Sequence, residues 1–278
     1  MKFAKILIVV TVFAAIPVAL KAQQVLDGIY VKEHTPSRAP IPYTHLREAD
    51  VMWSHRIWRT IDLREKINHP LYYPNEPVNG RMSLFDVIKK GLNEGTLLAF
   101  DNSQDDFRVL LTKAQALETL SKVASKQAED PNNPGMYFEI IDTINVESRD
   151  VISYQLKEDW FFDNQRSVLD VRIIGIAPIV ITRDEDGAER GKSLLFWLYF
   201  PNCREVFANY ETFNRTNDAE RRTYDDVFWK RMFGSFIVKQ TNVYDRTIAE
   251  YYTGLDALLE ADKIKNDIFT MEMDMWHY

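Results

Sequence analysis

The sequence predicts an α+β protein with an N-terminal extended arm and helices, a small antiparallel β-sheet containing a long hairpin, and C-terminal helices packed on that sheet. Three observations support this fold class. Apolar residues recur with a period of about 3.6 before residue 129, the period changes to 2 between residues 152 and 200, and the helical period returns after residue 201. With 46% hydrophobic and 13% aromatic residues, the chain can bury a substantial core.

Residues 1–22 have the order of a secretory signal peptide. Lys2 and Lys5 precede an apolar run, residues 6–20, and small or polar residues follow it. A membrane-spanning helix needs roughly twenty apolar residues, more than this run offers. We therefore expect export and cleavage between Ala22 and Gln23. Because no cysteine stands at the end of the apolar run to carry a lipid, membrane association would require a partner.

The balance of charges argues against nucleic acid as a partner. The chain carries 34 Lys and Arg against 41 Asp and Glu, and residues 1–22 hold three of the lysines and no acidic residue. Affinity for phosphates comes largely from clustered Lys and Arg, so an acidic exported chain is a poor nucleic-acid binder. The single cysteine, Cys203, excludes an internal disulfide, and packing must stabilise the core.

Composition divides the rest of the chain into an arm and a globular domain. Residues 23–47 contain three prolines and have neither a helical nor a strand period, which predicts an extended arm. This arm either lies across a neighbouring subunit or is a loose tail, and the sequence leaves both alternatives open. Residues 48–278 are predicted to form one globular domain, in which the turn-forming run 129–135 is the best candidate for an internal boundary.

The helical period predicts three helices in the first half of this domain. The first covers Glu48 to Lys66, with apolar residues on one side at Trp53, Ile57, Trp58 and Ile61. A second begins after Ser83 in capping-box style and ends at Gly95, and a third begins after Thr112.

In the second half, alternation at residues 152–156 predicts a strand, and residues 169–200 predict a long hairpin whose polar tip is Asp184–Gly187. Helices then follow from three further patterns. One begins at Pro201 with a stripe formed by Cys203, Val206, Phe207, Tyr210 and Phe213. Another is capped by Thr223 and carries Val227, Phe228, Met232 and Phe233, and the last covers Ile248 to Ile264.

No set of residues predicts a catalytic, cofactor-binding or metal site. His45, His55 and His69 lie ten and fourteen residues apart, without the close ligand spacing that zinc sites use. The acidic run at 184–187 lacks the spacing of a calcium loop, and Cys203 lies on an apolar stripe, where a free cysteine behaves as a small hydrophobe. Two alternatives remain: a periplasmic hydrolase with an unrecognised carboxylate site, and a soluble periplasmic ligand-binding protein.

The stretch from Val51 to Pro74 is the strongest candidate for a partner-binding surface. It is rich in Trp, Tyr and Arg, the residue types that are enriched where proteins bury one another. We therefore predict partner contacts at Trp53, Arg56, Trp58, Arg59, Tyr72 and Tyr73. The alternative that the Trp-bearing side of this segment is plain core stays open, since one apolar stripe on a helix is what a core also requires.

Two blocks of the sequence resemble the GldN/PorN family of bacterial gliding motility and type IX secretion. One is the opening W…IWR…D pattern, and the other runs from Leu195 to Arg246 and contains FNR-x-ND…DD-x-FWKR. The resemblance implies a non-catalytic periplasmic subunit without a cofactor, which forms a ring with the GldK/PorK outer-membrane lipoprotein at the inner face of the outer membrane. It also implies contact with the periplasmic part of the GldM/PorM motor protein, but assigns no contact to particular residues.

Overall fold

A computed structural model describes residues 38–78, 80–129, 137–183, 189–214, 217 and 219–275. The predicted signal peptide with its cleavage between Ala22 and Gln23, residues 23–37 of the predicted arm, and the predicted turns at 130–135 and 184–187 lie outside these residues. These features and the domain boundaries stay predictions.

The described residues form eleven strands and six α-helices. The strands are β1 (Val51–Asp62), β2 (Ala99–Phe100), β3 (Ser121–Glu129), β4 (Tyr137–Asn145), β5 (Val151–Asp163), β6 (Val168–Arg183), β7 (Glu189–Leu194), β8 (Trp197–Tyr199), β9 (Glu211–Thr212), β10 (Arg222–Thr223) and β11 (Phe236–Gln240). The helices are α1 (His69–Tyr72), α2 (Leu84–Glu94), α3 (Lys113–Thr119), α4 (Phe200–Phe207), α5 (Tyr224–Trp229) and α6 (Leu255–Met275). Short 3-10 helices cover Glu48–Asp50, Lys66–Asn68, Ser148–Asp150 and Ile248–Glu250.

The main sheet has seven antiparallel strands in the order β11-β1-β5-β6-β8-β2, with β7 also paired to β6. The predicted α+β class is confirmed. So are the strand at residues 152–156, which lies within β5, and the long hairpin, because β6 pairs with both β7 and β8. Two smaller ribbons pair β3 with β4 and β9 with β10.

The helix predicted from Glu48 to Lys66 is wrong, because residues 51–62 form strand β1 between β5 and β11. Trp53, Ile57 and Ile61 satisfy a period of 2 as well as one near 3.6. The strand is favoured because the segment is rich in aromatic and β-branched residues, which pack well on a pleated surface. Trp58 therefore lies in a different apolar cluster from its neighbour Ile57.

The next two predicted helices are confirmed at their capping residues. The Ser83 hydroxyl accepts a hydrogen bond from the Asp86 backbone N–H at 3.1 Å, and helix α2 ends at Gly95 with φ of +77°. Glycine adopts this left-handed conformation without steric cost. Thr112 and Gln115 form a reciprocal capping box at the start of α3.

The later helices differ from their predicted extents. Helix α4 ends at Phe207, so Phe213 is not on its buried stripe and is instead a little under half exposed. Thr223 caps α5 as predicted, but that helix ends at Trp229, before Met232 and Phe233. The last helix begins at Leu255, after Gly254 with φ of +60°, and continues to Met275.

The buried apolar residues form three clusters. The largest joins the sheet to α2, α4 and α5, and includes Leu156, Ile176 and Phe228. A second packs α6 on the sheet, and the third surrounds Trp58. In the third cluster a Cβ at Gly175 would lie 2.5 Å from the Phe107 ring, so only glycine admits this close approach.

Candidate partner-binding surfaces

The six residues predicted to bind partners do not form one surface. Trp53 is half-buried and packs against the cluster beneath α6, where its ring stacks on His55 with centroids 5.9 Å apart. The Arg59 guanidinium donates to the Ser235 hydroxyl and backbone carbonyl, each at 2.9 Å. Both side chains therefore make contacts that stabilise the folded chain itself.

Trp58 is a core residue, with only 5% of its surface exposed. Its indole N–H donates to the Asp105 carboxylate at 2.5 Å, and the Lys239 ammonium lies 4.4 Å from the ring centroid. Lys157 is also buried here, with its ammonium 3.4 Å from Asp105 Oδ1. Burial lowers the pKa of Lys157, and the nearby Asp105 charge opposes that shift. Trp58, Lys157 and Asp105 therefore form a largely buried polar cluster, in which the Asp105 carboxylate neutralises the Lys157 ammonium.

Arg56 is more accessible but is already paired. Its guanidinium donates to both oxygens of Asp159 on β5, at 2.6 and 2.8 Å. This hydrogen bonding raises the pKa of Arg56. A bidentate cross-strand pair fixes the orientation of the guanidinium, so a partner would meet a neutralised pair at this position rather than a single positive charge.

Tyr72 and Tyr73 stand beside an apolar groove, with their rings edge to face at 4.7 Å. Tyr72 is half-buried against the main core, whereas Tyr73 is about half exposed. We define the Phe213 groove by six of its lining residues: Lys66, Pro70, Tyr73, Val78, Arg81 and Phe213. It encloses about 500 Å³, and its aromatic and aliphatic lining lies open at the surface.

Helix α6 exposes an apolar face that the sequence analysis did not identify. Its inner side packs on the sheet through Ala261, Ile264 and Ile268. Five large apolar side chains point outward, with exposed fractions of 70% for Leu255, 54% for Leu258, 57% for Leu259, 61% for Phe269 and 50% for Met273. We call these five residues the outer α6 face. A search for apolar residues on both sides of this helix, extended beyond Ile264, would have found them.

The outer α6 face lies on an acidic helix. Residues 255–275 contain six Asp or Glu and two Lys. An exposed apolar area of this kind, rimmed by one sign of charge, is typical of a protein-binding surface. The complementary surface would be apolar and rimmed by Lys or Arg.

The last part of the predicted arm lies on its own chain. Tyr43 packs between two guanidiniums, with Arg204 at 4.4 Å and Arg172 at 5.1 Å from the ring centroid. Arg204 is itself buried and pairs with Asp225 through bonds of 2.8 and 3.1 Å. Burial raises the pKa of Tyr43. Residues 38–47 are therefore anchored to the domain, while the alternatives for residues 23–37 stay open.

The described residues contain little that suggests catalysis. No group of three or more His, Cys, Asp or Glu among them could hold a metal ion. Burial raises the pKa of the Cys203 thiol well above its usual value, which disfavours the reactive thiolate. Hydrogen bonds from arginine lower the pKa values of the Asp62 and Asp163 carboxyl groups. A carboxyl group that acts as a general acid needs a raised pKa instead.

Within the described part of the chain, no helix has the length and apolarity needed to cross a membrane. The fold and its surface define the class of the protein: an α+β domain with an exposed apolar groove and an exposed apolar helix face. The sequence model of one family, described as gliding motility associated protein GldN, matches residues 46–277, so the chain belongs to the GldN family. It is therefore a component of gliding motility and type IX secretion. No curated protein matches the sequence.

Proposed function

We propose that this chain is a non-catalytic structural subunit of a periplasmic ring in the type IX secretion and gliding machinery. It assembles with a GldK/PorK-like outer-membrane lipoprotein, which holds it at the inner face of the outer membrane. It also contacts the periplasmic part of a GldM/PorM-like motor protein. In this arrangement the subunit transmits mechanical or conformational change between the motor and the secretion apparatus.

The outer α6 face is the observation that carries this proposal. Leaving five large apolar side chains in water on one helix is unfavourable, and covering them with a partner removes that cost. A second copy is disfavoured as the occupant because two acidic helices repel each other. We therefore assign this face to the lipoprotein or to the motor protein, and place contacts between copies elsewhere on the surface.

Co-purification of the full chain with each partner tests the proposal. The double substitution Leu259→Lys and Phe269→Lys adds charge to the outer α6 face at two exposed side chains that line neither the cleft between α6 and the sheet nor the buried side of the helix. Losing two large apolar side chains at the centre of an interface typically weakens the binding free energy by more than about 2 kcal/mol. We therefore expect the amount of one partner that co-purifies to fall by about tenfold or more.

The matched control is Leu98→Lys with Val109→Lys, two exposed apolar residues near β2. The control should retain both partners, and both double variants should unfold at the same urea concentration as the unaltered chain. If the unaltered chain runs as a monomer and recovers neither partner, the proposed function is wrong. If both double variants lose partners equally, the assignment of the face is wrong.

A further inference from the structure

The walls of the Phe213 groove are apolar and stand in water. Tyr73, Val78 and Phe213 are each about half exposed, and Pro70 adds a rigid apolar side. The volume of about 500 Å³ falls within the range of about 300 to 1,000 Å³ that ligand sites occupy. Covering these side chains removes apolar surface from water, which favours binding. The groove therefore has room for several apolar side chains of a partner.

The charged side chains at this groove are basic. Lys66 and Arg81 line it together with His69, and none of its described lining residues is Asp or Glu. Arg81 lies over the Phe213 ring, 5.5 Å from its centroid, and within the described ranges neither Arg81 nor Lys66 has a carboxylate at ion-pair distance. The whole chain has a net charge of −7, but charges further away than about 8 Å are largely screened at physiological salt. A segment that docks in the groove therefore meets positive charge.

Hydrogen bonds hold the groove in shape before a partner binds. Val78 and Arg81 exchange two backbone hydrogen bonds, of 3.0 and 2.9 Å, across a tight turn. The Thr212 hydroxyl donates to the Pro70 carbonyl at 3.1 Å. This bond holds strand β9, and with it the neighbouring Phe213, against helix α1. A preformed site loses less conformational freedom on binding, so more of the contact free energy appears as affinity.

We propose that the Phe213 groove binds a segment of another protein that carries apolar side chains beside an Asp or Glu. The apolar side chains pack on Tyr73, Val78 and Phe213, and the carboxylate accepts hydrogen bonds from the Arg81 guanidinium, whose planar fork suits it. Aromatic-lined grooves recognise extended segments in this way.

The shape and place of the groove favour a protein segment as its occupant. A small apolar molecule fits less well, because such ligands are usually enclosed over most of their surface, whereas this groove is open along the surface of the domain. None of the described lining residues belongs to α6. The groove is therefore a second site, separate from the outer α6 face on which the proposed function rests.

Selection from a library of random displayed peptides on the full chain tests this proposal. We expect the enriched peptides to combine apolar residues with Asp or Glu. The charge reversal Arg81→Glu should abolish the preference for Asp and Glu. Lys113→Glu makes the same change of charge at an exposed residue at the start of α3, and this matched control should select the same peptides as the unaltered chain.

The same selection separates the groove from the outer α6 face. Peptides that bind the acidic α6 helix should carry Lys or Arg, and they should no longer bind the double variant Leu259→Lys with Phe269→Lys. Peptides that bind the groove should bind this double variant as well as the unaltered chain. A failure at the groove therefore leaves the co-purification test of the proposed function undisturbed.

Fluorescence anisotropy with the most enriched acidic peptide, synthesised with a label, completes the test. Phe213→Ser should weaken binding by about tenfold, because a large apolar contact is lost. Arg81→Glu should weaken it by about tenfold or more, because a charge-assisted hydrogen bond is lost. The urea midpoint checks that each variant is folded, and Val78→Ser replaces Phe213→Ser if the latter unfolds. Three results would overturn the proposal: no peptide enriched on the unaltered chain, enriched peptides without Asp or Glu, or unchanged affinity after the folded wall substitution.

Discussion

The substitution Trp58→Ala decides whether the aromatic residues of β1 belong to the core or to an interface. Trp58 is 5% exposed, donates a hydrogen bond to Asp105 and lies 4.4 Å beneath the Lys239 ammonium. Truncating a buried Trp typically costs about 3 to 5 kcal/mol. The lost hydrogen bond adds less, because Asp105 is partly solvated and can bind water instead. We therefore expect the free energy of unfolding to fall by about 4 kcal/mol.

Urea unfolding monitored by circular dichroism measures this change, provided that the slope against urea is unchanged. Trp58→Phe keeps most of the apolar volume and loses the indole N–H, so it should cost about 1 to 2 kcal/mol. Trp53→Ala on the same strand is the matched comparison and should cost less than Trp58→Ala, because Trp53 is only half-buried. If Trp58→Ala changed stability by less than about 1 kcal/mol and yet abolished partner recovery, the assignment of Trp58 to the core would be refuted.

Three further predictions concern buried groups. Asp225→Asn should lower the free energy of unfolding by about 3 kcal/mol, because it leaves the buried Arg204 guanidinium without its carboxylate. The double variant with Arg204→Met should recover part of that free energy in urea unfolding, because both members of the buried pair are then absent. Burial raises the pKa of Tyr224 above the usual value of about 10, so the neutral side chain stabilises the folded state below pH 10, and this contribution is lost as the pH rises further. Tyr224→Phe removes the hydroxyl that donates to the Met82 carbonyl and should lower the free energy of unfolding by about 1 kcal/mol at pH 7. This difference from the unaltered chain should shrink in unfolding curves recorded above pH 10. Gly175→Ala should lower the melting temperature by an amount equivalent to about 1 to 3 kcal/mol, because the added Cβ meets the Phe107 ring, and an unchanged melting temperature would contradict that contact.

Helix ends and alternating strands could be predicted from the sequence, because each depends on residues that are close together in the chain. Ser83, Gly95 and Thr112 mark helix ends because capping depends on residues within one turn, and all three are found in these roles. The alternation in β5 and β6 was equally direct. These features need no knowledge of the remainder of the chain.

The opening segment could not be assigned in this way, because its apolar positions fit both a helix and a strand. Its state is determined by neighbours distant in sequence, since β1 pairs with β5 and β11 about one hundred and one hundred and eighty residues further along. The partner residues were uncertain for the same reason. Arg56 suggests a free cation in the sequence, but only the sheet register shows Asp159 directly opposite it.

The arrangement of charges explains why we propose the partner surface on the last helix rather than on the arginine-rich strand. Arg56, Arg204 and Arg231 each pair with a carboxylate of the same chain, so much of the positive charge is used within the fold. Five exposed apolar side chains lie instead on the acidic α6 helix. If a partner covers this face, as we propose, apolar contacts supply most of the binding free energy, while the acidic rim selects a partner that carries Lys or Arg and rejects a second copy of the same helix. In the ring that we propose, this face binds a different protein while the subunits contact one another through other surfaces.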